Sequence, residues 1–213
     1  MTKDVKLIKS RKSEREEFIK QCKASNGRLN ILVHPFYSED TTPTENKRYV
    51  TKRYLKQRDE YIKGLLDTDI PLLFFQQSSD YKTLLSKISQ FGEYTIYTVM
   101  TKRGEETPTG GRKDWEKLAD IFSEAKIEVV IVSGLYLVNK PLEKALEEFD
   151  VRYDKEEIQL EFINNIPKYI DKFPVAREWL EKNYVPTGCV GYTVMNLLKY
   201  DFDVSIGELT APD

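Results

Sequence analysis

The chain has 213 residues, 40% of them hydrophobic and 32% charged, with a formal net charge of −2. That is enough apolar material for one α/β domain and excludes a chain disordered by composition. The near balance of charge excludes a global attraction to nucleic acid or an anionic membrane. Two cysteines, Cys22 and Cys189, rule out a disulfide scaffold and a Cys-rich zinc site; a single histidine, His34, removes most zinc and triad arrangements. No cofactor and no metal site is expected.

Residues 2–23 read as a basic helical segment, with Phe18 and Ile19 as apolar points, and residues 1–26 form the N-terminal part of a single domain over 1–213. The charged start lacks the apolar core of a signal peptide, and no apolar run approaches the roughly 20 residues that span a bilayer. The expected location is cytoplasmic, with no membrane partner. After Gly27, residues 29–33 form a short apolar run that reads as a buried strand and ends at His34-Pro35-Phe36-Tyr37. Thr42-Pro43-Thr44-Glu45 has the capping residue, first-turn proline and acidic residue of a helix start. The helix that follows places Val50, Tyr54, Ile62 and Leu65 inward. Its other face carries Lys47, Arg48, Lys52, Arg53, Lys56 and Arg58, with Tyr49 and Tyr61 among them. Basic residues interleaved with tyrosines suit single-stranded nucleic acid, although Glu45, Asp59 and Glu60 dilute the charge.

Residues 70–75 form a second strand ending at Gln76-Gln77, followed by a helix over residues 81–91. Residues 94–100 form a third, ending at Thr101-Lys102-Arg103. Gly110-Gly111 precede a helix that Asp114 opens. Glycines before a helix can cradle phosphate, but the dinucleotide and P-loop patterns are both missing. Residues 127–132 form a fourth strand, ending at Ser133-Gly134-Leu135-Tyr136. Residues 138–186 shift to helical periodicity punctuated by Pro167 and Pro174, and read as a helical insertion. Thr187-Gly188-Cys189 then opens a helix, and residues 203–209 form a closing strand. Backbone N–H groups at a helix start favour a thiolate.

Strands alternating with helices predict an α/β three-layer, Rossmann-like sandwich with a mainly parallel five-strand sheet, the insertion falling before the last helix–strand unit. In such sheets ligands bind outside the carboxyl ends of the strands, near a switch in strand order. That edge collects His34, Tyr37, Gln76, Gln77, Lys102, Arg103, Ser133, Tyr136 and Glu208, with Cys189 at its helix start. The ligand-binding candidates are Tyr37, Gln76, Gln77, Arg103, Ser133 and Tyr136. Lys102 and Arg103 suit an anionic small molecule.

The order of elements resembles that of the isochorismatase-like cysteine hydrolases over about half the chain. Gly188-Cys189-Val190 opens a similar helix, Asp203-Val204-Ser205-Ile206 a similar strand, and Lys102 stands after the third strand, where the family has a lysine. The resemblance implies a cysteine-dependent hydrolase with Cys189 as nucleophile and Lys102 beside it. The family's aspartate at the end of the first strand is replaced by His34-Pro35, and the stretch before Cys189 is longer. The general base is then replaced, with His34 the available group, or the chemistry is lost. Three functions stay open: a small-molecule enzyme or ligand-binding domain, a nucleic-acid-associated protein using the helix at 47–58, and a non-catalytic interaction domain that forms a homodimer.

Overall fold

The computed structural model describes residues 2–36, 52–102, 108, 110–134 and 189–210. Its centre is a six-stranded parallel sheet built from β1 (Lys3–Lys6), β2 (Arg28–Val33), β3 (Leu72–Gln77), β4 (Thr95–Thr101), β5 (Val129–Gly134) and β6 (Asp203–Thr210), in the order β1-β4-β3-β2-β5-β6. The helices are α1 (Lys12–Ala24), α2 (Lys52–Leu66), α3 (Tyr81–Phe91), α4 (Arg112–Glu124) and α5 (Cys189–Leu198). The α/β sandwich and the parallel sheet are as the sequence predicts. The sheet has six strands and not five.

The additional strand is β1, within the segment expected to be helical throughout. Lys3-Asp4-Val5-Lys6 has one apolar residue to signal a strand, and Val5 is buried. Lysines on a short edge strand discourage pairing with another chain, so the same charges that suggest a solvated helix also suit a sheet edge. Asp4 ties β1 down: its carboxylate accepts hydrogen bonds from Thr98 Oγ1 of β4 at 2.9 Å and from the Tyr81 hydroxyl. Burial of the ring, with the Asp4 carboxylate beside it, pushes the Tyr81 phenol upward. A short turn over Leu7–Lys9 then leads into α1, whose Phe18, Ile19 and Cys22 face the sheet.

Alternation along the strands splits the core into two layers. On the first face, Leu29, Ile31, Val33, Phe75, Tyr97, Val130, Val132 and Val204 meet α1, α4 and α5 through Phe18, Trp115, Leu118, Phe122, Val190, Val194 and Leu197. On the second, Leu32, Leu72, Phe74 and Ile96 meet α2 and α3 through Ile62, Leu84 and Ile88. Each such side chain contributes about 1.5–3 kcal/mol when fully buried. β3 is buried at all six positions, which is why it reads as a continuous run and not as an alternation. From β2 the chain winds outward through β3 to β4, then crosses to the other side of β2 for β5 and β6. The winding direction therefore reverses between β2 and β5. The regions expected to hold the capped start at residues 42–45 and the insertion at 138–186 lie outside the described residues.

Candidate functional site

At the carboxyl edge, β2 and β5 end side by side, with Val33 opposite Gly134 in register. Gly134 has φ 146°, and a β-carbon there would overlap the Val33 backbone, so glycine lets the two strand ends close together. His34 follows immediately with φ 47°, a left-handed conformation uncommon for a non-glycine residue. Its N–H donates to Phe75 O at 2.8 Å, which turns the chain across the end of β3. The imidazole is fully buried and shares a 2.8 Å hydrogen bond through Nε2 with Thr101 Oγ1 of β4. Burial lowers its pKa to about 4, so the ring is neutral at physiological pH.

Alternation separates the predicted edge residues into two groups. Gln77 and Thr101 are paired in register and follow Phe75 and Val99 on the first face, with the His34 ring. Gln76 follows Phe74 on the second face, as does Ser133. Gln76 and Gln77 are the last two residues of β3, where the sequence reading placed them just beyond it. Both are buried. The Gln76 carboxamide is enclosed at both Oε1 and Nε2 and has no hydrogen-bond partner for either among the described residues.

Two residues of this edge were assigned to a solvent-facing basic surface and are found turned inward. Arg58 is 2% exposed. Its guanidinium lies 4.5 Å from the centre of the Phe36 ring, donates to Pro35 O at 3.4 Å, and holds Asp59 Oδ1 through Nε at 2.8 Å and Nη2 at 2.7 Å. Tyr61 shares a 2.9 Å hydrogen bond with Ser133 Oγ. Gly207 of β6 lies under that pair, and a β-carbon there would overlap both hydroxyl oxygens. The helical period contained this signal, because Arg58 lies four residues before Ile62 and seven before Leu65. Over residues 57–64 Gln57, Glu60, Lys63 and Gly64 turn to solvent, while the side chains of Lys47, Arg48, Lys52, Arg53 and Lys56, which carry the rest of the expected basic face, lie outside the described residues.

Cys189 is the first residue of α5. A short connection leads from α5 to the start of β6, and α5 packs on β5, β6 and β2. Ten residues of helix span about 15 Å, which returns Cys189 toward the carboxyl side of the sheet. The residue is 7% exposed and belongs to the core layer with Val190, Val194 and Leu197. Cys22 is fully buried, and burial pushes its thiol up to about 12. Lys102 is exposed just past β4. Tyr37, Arg103 and Tyr136 lie outside the described residues; Glu208 is in β6.

The Gly110-Gly111 turn is occupied from within. Gly110 N donates to Asp114 Oδ2 at 2.7 Å, so the protein's own carboxylate takes the place an anion would use at the start of α4. Among the described residues, no group of three His, Cys, Asp or Glu is placed to hold a metal ion. A cavity of about 420 Å³ lies at the opposite, amino edge, lined in part by Leu66, Asp69, Pro71, Tyr94 and Thr95. Among the described residues the buried polar side chains His34, Gln76, Gln77, Thr101 and Ser133 gather at the carboxyl edge, whereas the amino-edge cavity is lined by the ends of α1 and α2, strand starts and a turn.

Comparison with family models, with curated proteins and with solved structures finds no match for the chain. Among the described residues no helix is long and apolar enough to cross a membrane.

Proposed function

We propose that the protein binds a small polar molecule at the carboxyl edge of its sheet, beside the ends of β2 and β5. The observation that carries this reading is the reversal of winding between those two strands. Connections leave the two ends in opposite directions, and the crevice between them is where doubly wound sheets take ligands. Gln77 and Ser133 supply polar groups on the two faces of that edge, and Arg58 fixes the backbone just after β2 through Pro35. A thermal-shift screen with mixtures of polar metabolites tests the reading. Ligands that raise the melting temperature should lose their effect in Gln77→Ala and keep it in Asp69→Asn at the amino edge. The reverse pattern would place binding in the amino-edge cavity and overturn the proposal.

A second reading, cysteine-dependent hydrolysis, is supported by the position of Cys189 at the head of α5, on the sheet face that also carries His34. In this reading Cys189 is the nucleophile, Lys102 stabilises its thiolate, and the neutral imidazole of His34, hydrogen-bonded to Thr101, is the proton acceptor in place of the aspartate missing after β2. The α5 dipole contributes about 0.3–1 kcal/mol to an exposed anion, less than one pKa unit, and burial opposes it. Alkylation with iodoacetamide across a pH series decides between the readings. An apparent Cys189 pKa well below about 8.5 that rises in Lys102→Ala supports hydrolysis. Labelling that requires denaturant makes Cys189 a core residue.

A further inference from the structure

We infer that Gln76 is a specificity-determining residue of the carboxyl-edge site, and that its ligand offers a hydrogen-bond donor and acceptor side by side, as a primary carboxamide or the edge of an aminopurine does. This rests on the carboxyl-edge reading and adds the ligand's class. Gln76 is the penultimate residue of β3, fully buried, and neither amide atom meets a partner among the described residues. The layer beneath it is apolar, formed by Leu32, Phe36, Phe74 and Ile62. Folding alone would favour a methionine or leucine there, because an enclosed and unpaired carboxamide destabilises the folded state. Groups of this kind in a native chain call for an explanation, and a ligand contact at a sheet edge supplies one.

The chemistry of the side chain narrows the ligand. A carboxamide carries N–H donors and a carbonyl acceptor on one plane. A carboxylate could pair with the N–H alone, and an ammonium with the carbonyl alone. A second amide, or an aminopurine edge, satisfies both atoms at once. A site built to hydrogen-bond such a group rejects isosteres that lack it, because rejection leaves buried polar atoms unpaired.

Calorimetric titration of the full chain with nicotinamide, nicotinate and adenine tests the inference, alongside melting curves of the wild type, Gln76→Met and Gln76→Leu. The wild type should bind nicotinamide or adenine at least about tenfold more tightly than nicotinate; which of the two binds separates a carboxamide ligand from a purine. Both variants should lose that binding and melt a few degrees higher than the wild type, since the unpaired amide is gone. Unchanged binding in the variants, equal binding of nicotinate, or lowered melting temperatures in both variants would overturn the role of Gln76. If neither nicotinamide nor adenine binds while metabolite hits still depend on Gln77, the ligand class is wrong and the edge reading stands. Hits that depend on Asp69 instead remove both.

Discussion

His34 sits at the end of β2 with its backbone at φ 47° and its ring enclosed against Thr101. The enclosure makes stability depend on pH. The buried ring has a pKa of about 4 against an ordinary 6.5, so between those values the unfolded chain binds a proton that the folded chain does not. This contribution is fully present above about pH 6.5 and is lost as pH falls; about 3 kcal/mol has gone by pH 4. Asparagine tolerates the left-handed conformation and does not titrate. Urea melts at pH 7 and pH 4.5 should therefore show a smaller acid loss for His34→Asn than for the wild type, and equal losses would show the ring is not enclosed. Gly134 gives a second prediction. With φ 146° and the Val33 backbone against it, Gly134→Ala should cost about 2–4 kcal/mol, read as a lower urea midpoint with an unchanged slope. Sequence reading placed His34, Gln76, Gln77 and Ser133 at the strand ends because apolar runs stop abruptly there. It gave no view of the positive φ values or of His34 pairing across β3 to β4, since both depend on which strands are neighbours.

At the scale of elements, α2 shows how charge can obscure a helical face. Arg58 and Tyr61 lie among basic residues and read as solvent-facing, yet they follow the period of Ile62 and Leu65 into the protein. Long cationic side chains bury their stems and ring-stacking surface while pairing the charged end, and Arg58 does so on Phe36 and Asp59. Arg58→Ala should cost about 2 kcal/mol or more. On the solvated basic face suggested by the sequence the same change would stay within about 0.5 kcal/mol. Denaturant melts separate the two outcomes. In α4 the sequence marked Asp114 as an opening residue, but the helix begins at Arg112, and Asp114 reaches back from its first turn to Gly110. The glycine pair was visible in the sequence. That its N–H was already taken was not, because the spacing is that of a local cap and not of a ligand loop.

Across the whole molecule, the alternation of apolar runs and helical patterns was sufficient for a parallel α/β sandwich, since short apolar runs such as those ending at Val33 and Phe75, set between helical patterns, leave few other arrangements. β1 escaped because four residues with one buried valine show no period. The order β1-β4-β3-β2-β5-β6 was not legible either: β2 and β3 are buried along both faces, so pattern alone does not say which neighbours they join. That order places the reversal between β2 and β5, and the account of function depends on it. Hydrogen–deuterium exchange of the full chain, with and without a ligand from the metabolite screen, tests the placement most directly. Protection should fall on peptides covering 33–36, 76–77 and 132–134 at the carboxyl edge. Protection confined to peptides covering 66–72 and 94–95 at the amino edge would contradict it.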